Sequence, residues 1–163
     1  MLNTERLMLR HFDSHDAPFI FELMNSPLYI KNIGDRGIKT LEQAEAYLSG
    51  VIVSSYQKNG YGLYAVVLKE TGKAVGLSGL VRREALPSAD IGFGFLPEFM
   101  GLGYAYEASS AVMKYARDEL GLDTILAITS KDNIRSQKLL NKLGLLHSKP
   151  IDWEGEEILL LST

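Results

Sequence analysis

The amino-acid sequence predicts an α/β fold of the mixed α+β kind, in which helices pack on one mixed sheet, and three observations support this class. Helical patterns of apolar residues occupy most of the segment before Tyr61. Three runs rich in β-branched and aromatic residues then follow one another with short polar turns between them: Tyr61 to Lys69, Ala74 to Arg83 and Ala89 to Leu96. From Tyr104 onward, helical and strand-like patterns alternate. We therefore expect about seven strands, mostly antiparallel, and about four helices.

The first part of the chain predicts a strand and a helix. The opening residues TERLMLRH alternate between apolar and polar side chains, as in a half-buried strand. The helix that follows can be capped by Asp13 or Ser14, and Pro27 is expected to end it. A loop is expected from Leu28 to Lys39.

A second helix begins at Thr40 and Gln43, whose spacing is that of a capping box, and ends at Gly60. The later elements are a helix from Tyr104 to Leu120, a strand from Thr124 to Thr129, a helix from Asp132 to Gly144 and two terminal strands. A strand that follows another by way of a helix pairs with it in parallel, whereas the hairpins between Tyr61 and Leu96 are antiparallel.

Composition limits the class of protein. The hydrophobic share of 46% and the charged share of 23% are typical of a globular domain, and we expect one domain over residues 1–163. No apolar run approaches the roughly 20 residues that cross a bilayer, and the N-terminal MLNTERLMLR lacks the apolar core of a secretory signal. The chain contains no cysteine, and its histidines lack metal-ligand spacing. With a net charge of −3, we expect a soluble cytoplasmic protein, monomeric or homodimeric, without a metal, nucleic-acid partner or membrane partner.

The segment PEFMGLGYAYEA contains two glycines just before a helical pattern resumes. Gly101 and Gly103 leave backbone N–H groups uncovered where a helix begins, and that arrangement favours an anion site. A dinucleotide fingerprint would need a third glycine at the position of Tyr106, and no phosphate-binding G-x-x-x-x-G-K-[ST] pattern occurs.

Several segments in this order resemble a known family. They are TERLMLR in the first strand, ADIGFGFLPEFMGLG across the fourth strand and its loop, GLGYAYEA at the following helix, and DNIRSQKLLNKLG at the last helix. Together they cover most of the chain and are similar to the GNAT superfamily of acetyl-CoA-dependent N-acetyltransferases, with the closest likeness to its RimJ/RimL-like branch.

The resemblance implies where acetyl-CoA binds. In the family, the glycine loop and the helix start hold the coenzyme A pyrophosphate, and the fourth and fifth strands splay apart so that pantetheine pairs with a strand edge. The positions implied here are Gly101, Leu102, Gly103, Tyr104 and Ala105 for the pyrophosphate, Phe95 and Leu96 for the strand edge, and Asn133 and Ser136 in the last helix.

The resemblance also implies direct attack of an amine on the thioester in a ternary complex. A general base must remove the amine proton, and the candidates are Asp90, Glu84 and Glu98. Many relatives use a tyrosine to protonate the departing thiolate, but this sequence has Leu140 there. The resemblance to RimL-like relatives, which use the serine of N-x-x-S, implies Ser136 as the candidate acid, with solvent or Tyr104 as the alternative donor.

Three functions remain open from the sequence. The first is acetylation of a primary amine, such as the N-terminus of a protein or peptide. The second is acetylation of a small molecule such as a polyamine, an amino acid or an aminoglycoside. The third is an acyl-CoA-binding sensor without turnover. The acceptor site is expected along Tyr29 to Ile38, where Asp35 and Arg36 either select charge or pair with each other.

Overall fold

One eight-stranded sheet organises the protein. The computed structural model describes residues 1–163. The strands are β1 (Leu2–Asn3), β2 (Leu7–Arg10), β3 (Leu63–Leu68), β4 (Ala74–Val81), β5 (Asp90–Phe95), β6 (Leu126–Thr129), β7 (His147–Trp153) and β8 (Glu156–Ser162). Their order is β1-β2-β3-β4-β5-β6-β8-β7, with β5 and β6 parallel and the other neighbours antiparallel. The predicted mixed, mostly antiparallel sheet is confirmed.

The helices connect these strands. They are α1 (Ala17–Met24), α2 (Pro27–Asn32), α3 (Leu41–Tyr47), α4 (Ser54–Asn59), α5 (Tyr104–Asp118) and α6 (Ile134–Lys142). A π-helical segment, Leu48–Val53, joins α3 to α4. Thr40 and Gln43 form the predicted capping box at the start of α3. None of the helices combines the length and the apolar character that a membrane span requires.

The two faces of the sheet carry separate hydrophobic cores. Helices α1 to α3 pack on one face, where the buried side chains include Ile20, Leu48 and Leu96. Helices α5 and α6 pack on the other, where they include Phe95, Val112 and Leu140. Because side chains alternate along a strand, β3 contributes to both cores, with Tyr64 and Val66 in one and Ala65 and Val67 in the other.

Helix α2 is the main departure from the predicted elements. The loop expected from Leu28 to Lys39 is wrong in its first part, because residues 27–32 are helical. Pro27 follows α1, as predicted, but it also occupies the first turn of α2, where a helix does not need the N–H that proline lacks. The helix carries Tyr29 over the sheet.

The N-terminal strand is shorter than predicted. Residues Leu2–Asn3 form β1, which pairs with Met8 and Leu9 of β2, and Thr4 to Arg6 form the turn between the two strands. The N–H of Thr4 donates to Leu7 O (2.9 Å) and closes this turn. The additional short strand explains why eight strands form instead of about seven, and it makes β5 and β6 the equivalents of the fourth and fifth strands considered above.

Candidate functional site

The glycine loop, residues 101–103, leads from the turn after β5 into α5. Gly101 (φ 76) and Gly103 (φ 84) both have the left-handed backbone conformation that other residues rarely adopt. The N-cap of α5 is Gly103, so no side chain covers the start of the helix.

The same loop presents unpaired hydrogen-bond donors. The N–H groups from Gly101 to Tyr106 have no acceptor within the chain, whereas the next one, of Glu107, donates to Gly103 O (3.0 Å). A row of free N–H groups at the positive end of a helix dipole suits a diphosphate. The loop therefore has the geometry that an anion site needs.

Strands β5 and β6 diverge beside this loop. Their only paired residues are Asp90 and Leu126, where Leu126 N–H donates to Ala89 O (3.0 Å). From Ile91 to Phe95, β5 continues without a partner on this edge. The predicted splay of the two strands is therefore present as an open gap in the sheet.

The direction of the backbone decides which residues of β5 face the gap. Leu96 N–H donates to Val75 O on the β4 side (3.0 Å), whereas Ala89 O points to β6. Since backbone groups of alternate residues point to opposite edges, the N–H and C=O groups of Phe93 and Phe95 face the gap. Leu96, expected at this edge, turns its N–H away from it. Phe93 takes its place as an edge residue.

The first turn of α6 lies near the glycine loop. The Nη2 atom of Arg135 is 3.9 Å from the position that a Cβ on Gly101 would occupy. Asn133 caps α6, because its side-chain oxygen accepts the N–H of Ser136 (3.2 Å). This bond gives Asn133 a structural role, but it does not account for the serine, because it uses only the backbone N–H of Ser136. Leu140, at the position of the tyrosine in many relatives, is buried in the core.

Asp90 differs from the other candidate bases in its environment. Its side chain is buried, whereas Glu84 and Glu98 are exposed. The Nε atom of Arg83 donates to Asp90 Oδ1 (3.0 Å). Burial raises the pKa of Asp90 to about 6, and the Arg83 guanidinium opposes this rise. A carboxyl group with that pKa is mostly ionised at neutral pH and can accept a proton.

Asp90 lies on the face of the sheet that carries α2. A Cβ on Gly94 would be 3.1 Å from the ring of Tyr29. Asp90 is four residues earlier in the strand and shares this face by alternation. Ser136 belongs to α6, which packs on the opposite face. The two candidate catalytic residues thus lie on opposite sides of the sheet that contains the gap. No group of three or more His, Asp or Glu side chains is arranged to hold a metal ion.

Arg83, the cation that contacts Asp90, lies close to two aromatic side chains. The guanidinium of Arg83 lies 5.8 Å from the ring centroid of Trp153. Burial raises the pKa of the Tyr29 hydroxyl, and Arg36 and Arg83 nearby oppose this rise. Arg83 is thus the direct contact of the candidate base, and Trp153 and Tyr29 lie near Arg83.

Within the predicted acceptor segment, Asp35 and Arg36 do not pair with each other. Asp35 accepts the N–H of Gly37 (2.8 Å) and forms an ion pair with Lys39 (3.2 Å). Its charge is satisfied inside its own turn, and Arg36 is left to face Tyr29.

Sequence reasoning missed Arg83, Phe93 and Arg6 as site residues. No sequence pattern marks Arg83 as a site residue, because its pairing with Asp90 depends on how the chain continues from β4 into the following turn. Phe93 could have been found by strand alternation from Phe95. Arg6 contacts the glycine loop from the turn between β1 and β2, about 100 residues earlier in the sequence, so local patterns do not indicate the contact.

Comparison with known proteins agrees with this geometry. Residues 6–146 match the acetyltransferase (GNAT) domain, and the chain belongs to this family. It is 30% identical over 146 residues to the uncharacterized N-acetyltransferase YoaA of Bacillus subtilis, across 88% of this chain and 81% of that protein. The family uses acetyl-CoA as its donor, and the protein is an acyltransferase.

Solved structures share the fold. The acetyltransferase from Agrobacterium tumefaciens superposes with a TM-score of 0.85 at 26% identity, over 99% of this chain and 92% of that one. RimL, a ribosomal L7/L12 alpha-N-protein acetyltransferase in complex with coenzyme A, superposes with a TM-score of 0.80 at 16% identity, over 98% of this chain and 94% of that one. The spermidine N-acetyltransferase from Vibrio cholerae in complex with coenzyme A and spermine gives 0.79 at 17% identity, over 98% and 96%. At these lower identities the likeness concerns the fold.

Proposed function

We propose that the protein is a cytoplasmic, RimJ/RimL-like N-acetyltransferase that transfers the acetyl group of acetyl-CoA to the N-terminal amine of a protein or peptide. One observation carries the proposal: the row of free N–H donors from Gly101 to Tyr106 lies beside the unpaired edge of β5. The donors suit a diphosphate, and the edge suits an amide-containing arm. Acetyl-CoA has both parts in that order.

The chain offers no nucleophile for a covalent intermediate, since it lacks cysteine and has no recognisable pair of nucleophile and base. Acetyl-CoA supplies the acetyl group as a thioester. The neutral amine of the acceptor attacks the thioester carbonyl carbon with its lone pair, and the carbon–sulfur bond breaks. Both substrates must therefore be bound together.

Two protons move in this reaction. Asp90, directly or through a water molecule, takes the proton that the amine loses, and Ser136 or solvent donates the proton that the departing thiolate takes up. Their location on opposite faces supports this assignment, because the amine can approach from the α2 side while the sulfur leaves on the α6 side. Arg83 holds the carboxylate of Asp90 in place.

The positive charge near Tyr29 favours an acceptor with one reactive amine over a polyamine. A polyamine carries further ammonium groups, which Arg36 would repel, whereas the charge of Arg83 is balanced by Asp90. An N-terminal peptide places uncharged backbone next to its amine. The second candidate, a small-molecule amine, is kept because the spermidine N-acetyltransferase shares the fold. Family membership favours either enzyme over a sensor without turnover.

An acceptor panel tests this proposal. Release of free thiol from acetyl-CoA would be measured with a peptide that has a free N-terminus, the same peptide with a blocked N-terminus and an internal lysine, and spermidine. We expect thiol release with the free N-terminus alone, and mass spectrometry should locate the acetyl group on it. Preference for spermidine would overturn the acceptor assignment, and no release with any primary amine would overturn the enzymatic one.

A further inference from the structure

The turn between β1 and β2 holds a carboxylate in the first turns of α5. Thr4 Oγ1 donates to Glu107 Oε1 (2.6 Å), and Arg6 N–H donates to the same oxygen (2.8 Å). Arg6 Nε donates to Glu107 Oε2 (2.7 Å). Both oxygens of Glu107 are thus held by residues far away in the sequence.

The rest of the Arg6 guanidinium lies against the glycine loop. Its Nη1 atom donates to Leu102 O (3.0 Å), and its central carbon lies 4.4 Å from the ring centroid of Tyr104. Its Nη2 atom is 3.3 Å from the position of a Cβ on Gly103. One side chain therefore contacts or approaches three consecutive residues at the start of α5.

The hydrogen bond from Arg6 to Leu102 O orients one of the free N–H groups of the glycine loop. The peptide unit is planar and trans, so the C=O of Leu102 and the N–H of Gly103 point in opposite directions. While Arg6 holds the carbonyl, the N–H of Gly103 is directed away from Arg6. Arg6, near the N-terminus, therefore sets the orientation of the Gly103 N–H.

The ion pair between Arg6 and Glu107 balances a negative charge close to the proposed anion site. A free carboxylate in the first turns of α5 would repel an anion bound at the helix start. Burial raises the pKa of Glu107, but the hydrogen bonds from Thr4 and Arg6 outweigh it and hold the pKa below its usual value. Glu107 is thus ionised, and the guanidinium of Arg6 balances its charge.

We propose that Arg6 is a positioning residue for acetyl-CoA binding. It orients the Gly103 N–H and neutralises Glu107, so that the glycine loop binds the diphosphate of acetyl-CoA. The inference rests on the proposed function of the glycine loop. It assigns Arg6 no part in the transfer step, so its loss affects binding of donors that carry a diphosphate and leaves turnover at saturation unchanged.

The experiment compares two donors in wild type and Arg6→Ala: acetyl-CoA, and S-acetyl-pantetheine, which has the thioester and the amide arm but no diphosphate. In the variant, KM for acetyl-CoA should rise about tenfold, with kcat preserved. This is the effect of losing one charge-assisted hydrogen bond, here the bond from the Gly103 N–H to the diphosphate. KM for S-acetyl-pantetheine should stay within about twofold of wild type. The wild-type preference for acetyl-CoA tests the proposed function by itself, and the change in that preference tests the role of Arg6.

Arg10→Ala is the matched control. Arg10 lies in β2, forms a two-bonded pair with Asp16 (2.8 and 2.9 Å) and does not contact the loop. Its loss should lower the melting temperature without changing donor preference. Arg6→Lys provides a milder second variant that keeps the charge but not the fork that bridges Glu107 and Leu102, and it should also raise KM for acetyl-CoA selectively. Equal losses with both donors, or an unchanged KM for acetyl-CoA in either Arg6 variant, would overturn the inference.

Discussion

Replacing Asp90 by asparagine should remove a pH-dependent loss of stability. Asp90 is 1% exposed, and burial raises its pKa from 3.8 to about 6 in spite of Arg83. Between these values the unfolded chain has released the proton while the folded protein retains it. The free energy of unfolding therefore falls as the pH rises through this window. At about 1.36 kcal/mol per pH unit, the loss approaches about 3 kcal/mol once both states are ionised.

Urea unfolding of wild type and Asp90→Asn from pH 4 to pH 7 measures this loss. Subtracting the two curves cancels the groups that both proteins share. The stability of wild type relative to the variant should fall by about 2.4 kcal/mol from pH 4 to pH 7, because the unfolded carboxyl is already more than half ionised at pH 4. Asparagine has nearly the same size, and Arg83 is exposed enough (29%) for water to solvate it. A difference that stays flat from pH 4 to pH 7 would refute the raised pKa.

Asp35→Asn is the control of opposite sign. Asp35 is exposed, and the N–H of Gly37 and the ammonium of Lys39 lower its pKa. Its contribution to stability is present above its unfolded pKa of about 3.8 and is lost as the pH falls below that value. Its difference curve should therefore be nearly flat from pH 5 to pH 7 and should fall only toward and below pH 4.

Asp90→Asn also tests the proposal that Asp90 is the general base. If Asp90 is the general base, kcat/KM of wild type should rise with pH through about 6, the pKa that burial produces. Asp90→Asn should lose roughly 10²- to 10⁴-fold in activity together with this inflection. Retention of the inflection in the variant would assign the base to another group.

Three further predictions concern the donor site and the order of events. Acetyl-CoA should stabilise wild type by about 2.7 kcal/mol at a hundredfold excess over its Kd, and Gly103→Val should abolish this shift, because valine resists φ 84 and would crowd the donors. Ser136→Ala should lower kcat by at most about 10²-fold, and by less at low pH, whereas Asn133→Ala should weaken acetyl-CoA binding. Initial-rate kinetics should show a ternary complex, with no acetyl-enzyme detectable by mass spectrometry.

Each of these predictions has a control or a contrary result. Gly121→Val places the same side chain at another left-handed glycine (φ 65) with open space around it, and it should keep the acetyl-CoA shift. An unaltered shift in folded Gly103→Val would remove the loop from the site. Full kcat of Ser136→Ala from pH 6 to pH 9 would leave protonation to solvent or Tyr104, and ping-pong kinetics would contradict direct transfer.

The predictions that succeeded rest on residues with local constraints. Gly101 and Gly103 mark a loop because few other residues tolerate their backbone angles, and the Thr40 capping box is a contact between close neighbours in sequence. The same local reasoning failed at Pro27, because a proline that ends one helix is equally suited to begin the next.

The residues that sequence reasoning missed depend on tertiary contacts. Asp90 was found as a candidate, but its position at the start of a strand does not reveal that its side chain is buried, because burial depends on how distant segments pack around it. Arg6 and Glu107 carry no signal of their pairing, since nothing in the spacing of two distant charges indicates that β1 folds back and brings them together.

The single backbone pair between Asp90 and Leu126 divides the sheet into two panels, β1 to β5 and β6 to β8, with almost no hydrogen-bond ladder between them. Each panel is held internally by its own antiparallel pairs, so the angle between the panels can change without breaking those pairs. A ligand arm lying along the exposed groups of Phe93 and Phe95 would act as an inserted strand and stiffen the sheet across the junction. Amide exchange in β5 and β6 should then slow on acetyl-CoA binding, while exchange in the β2–β3 pair should barely change.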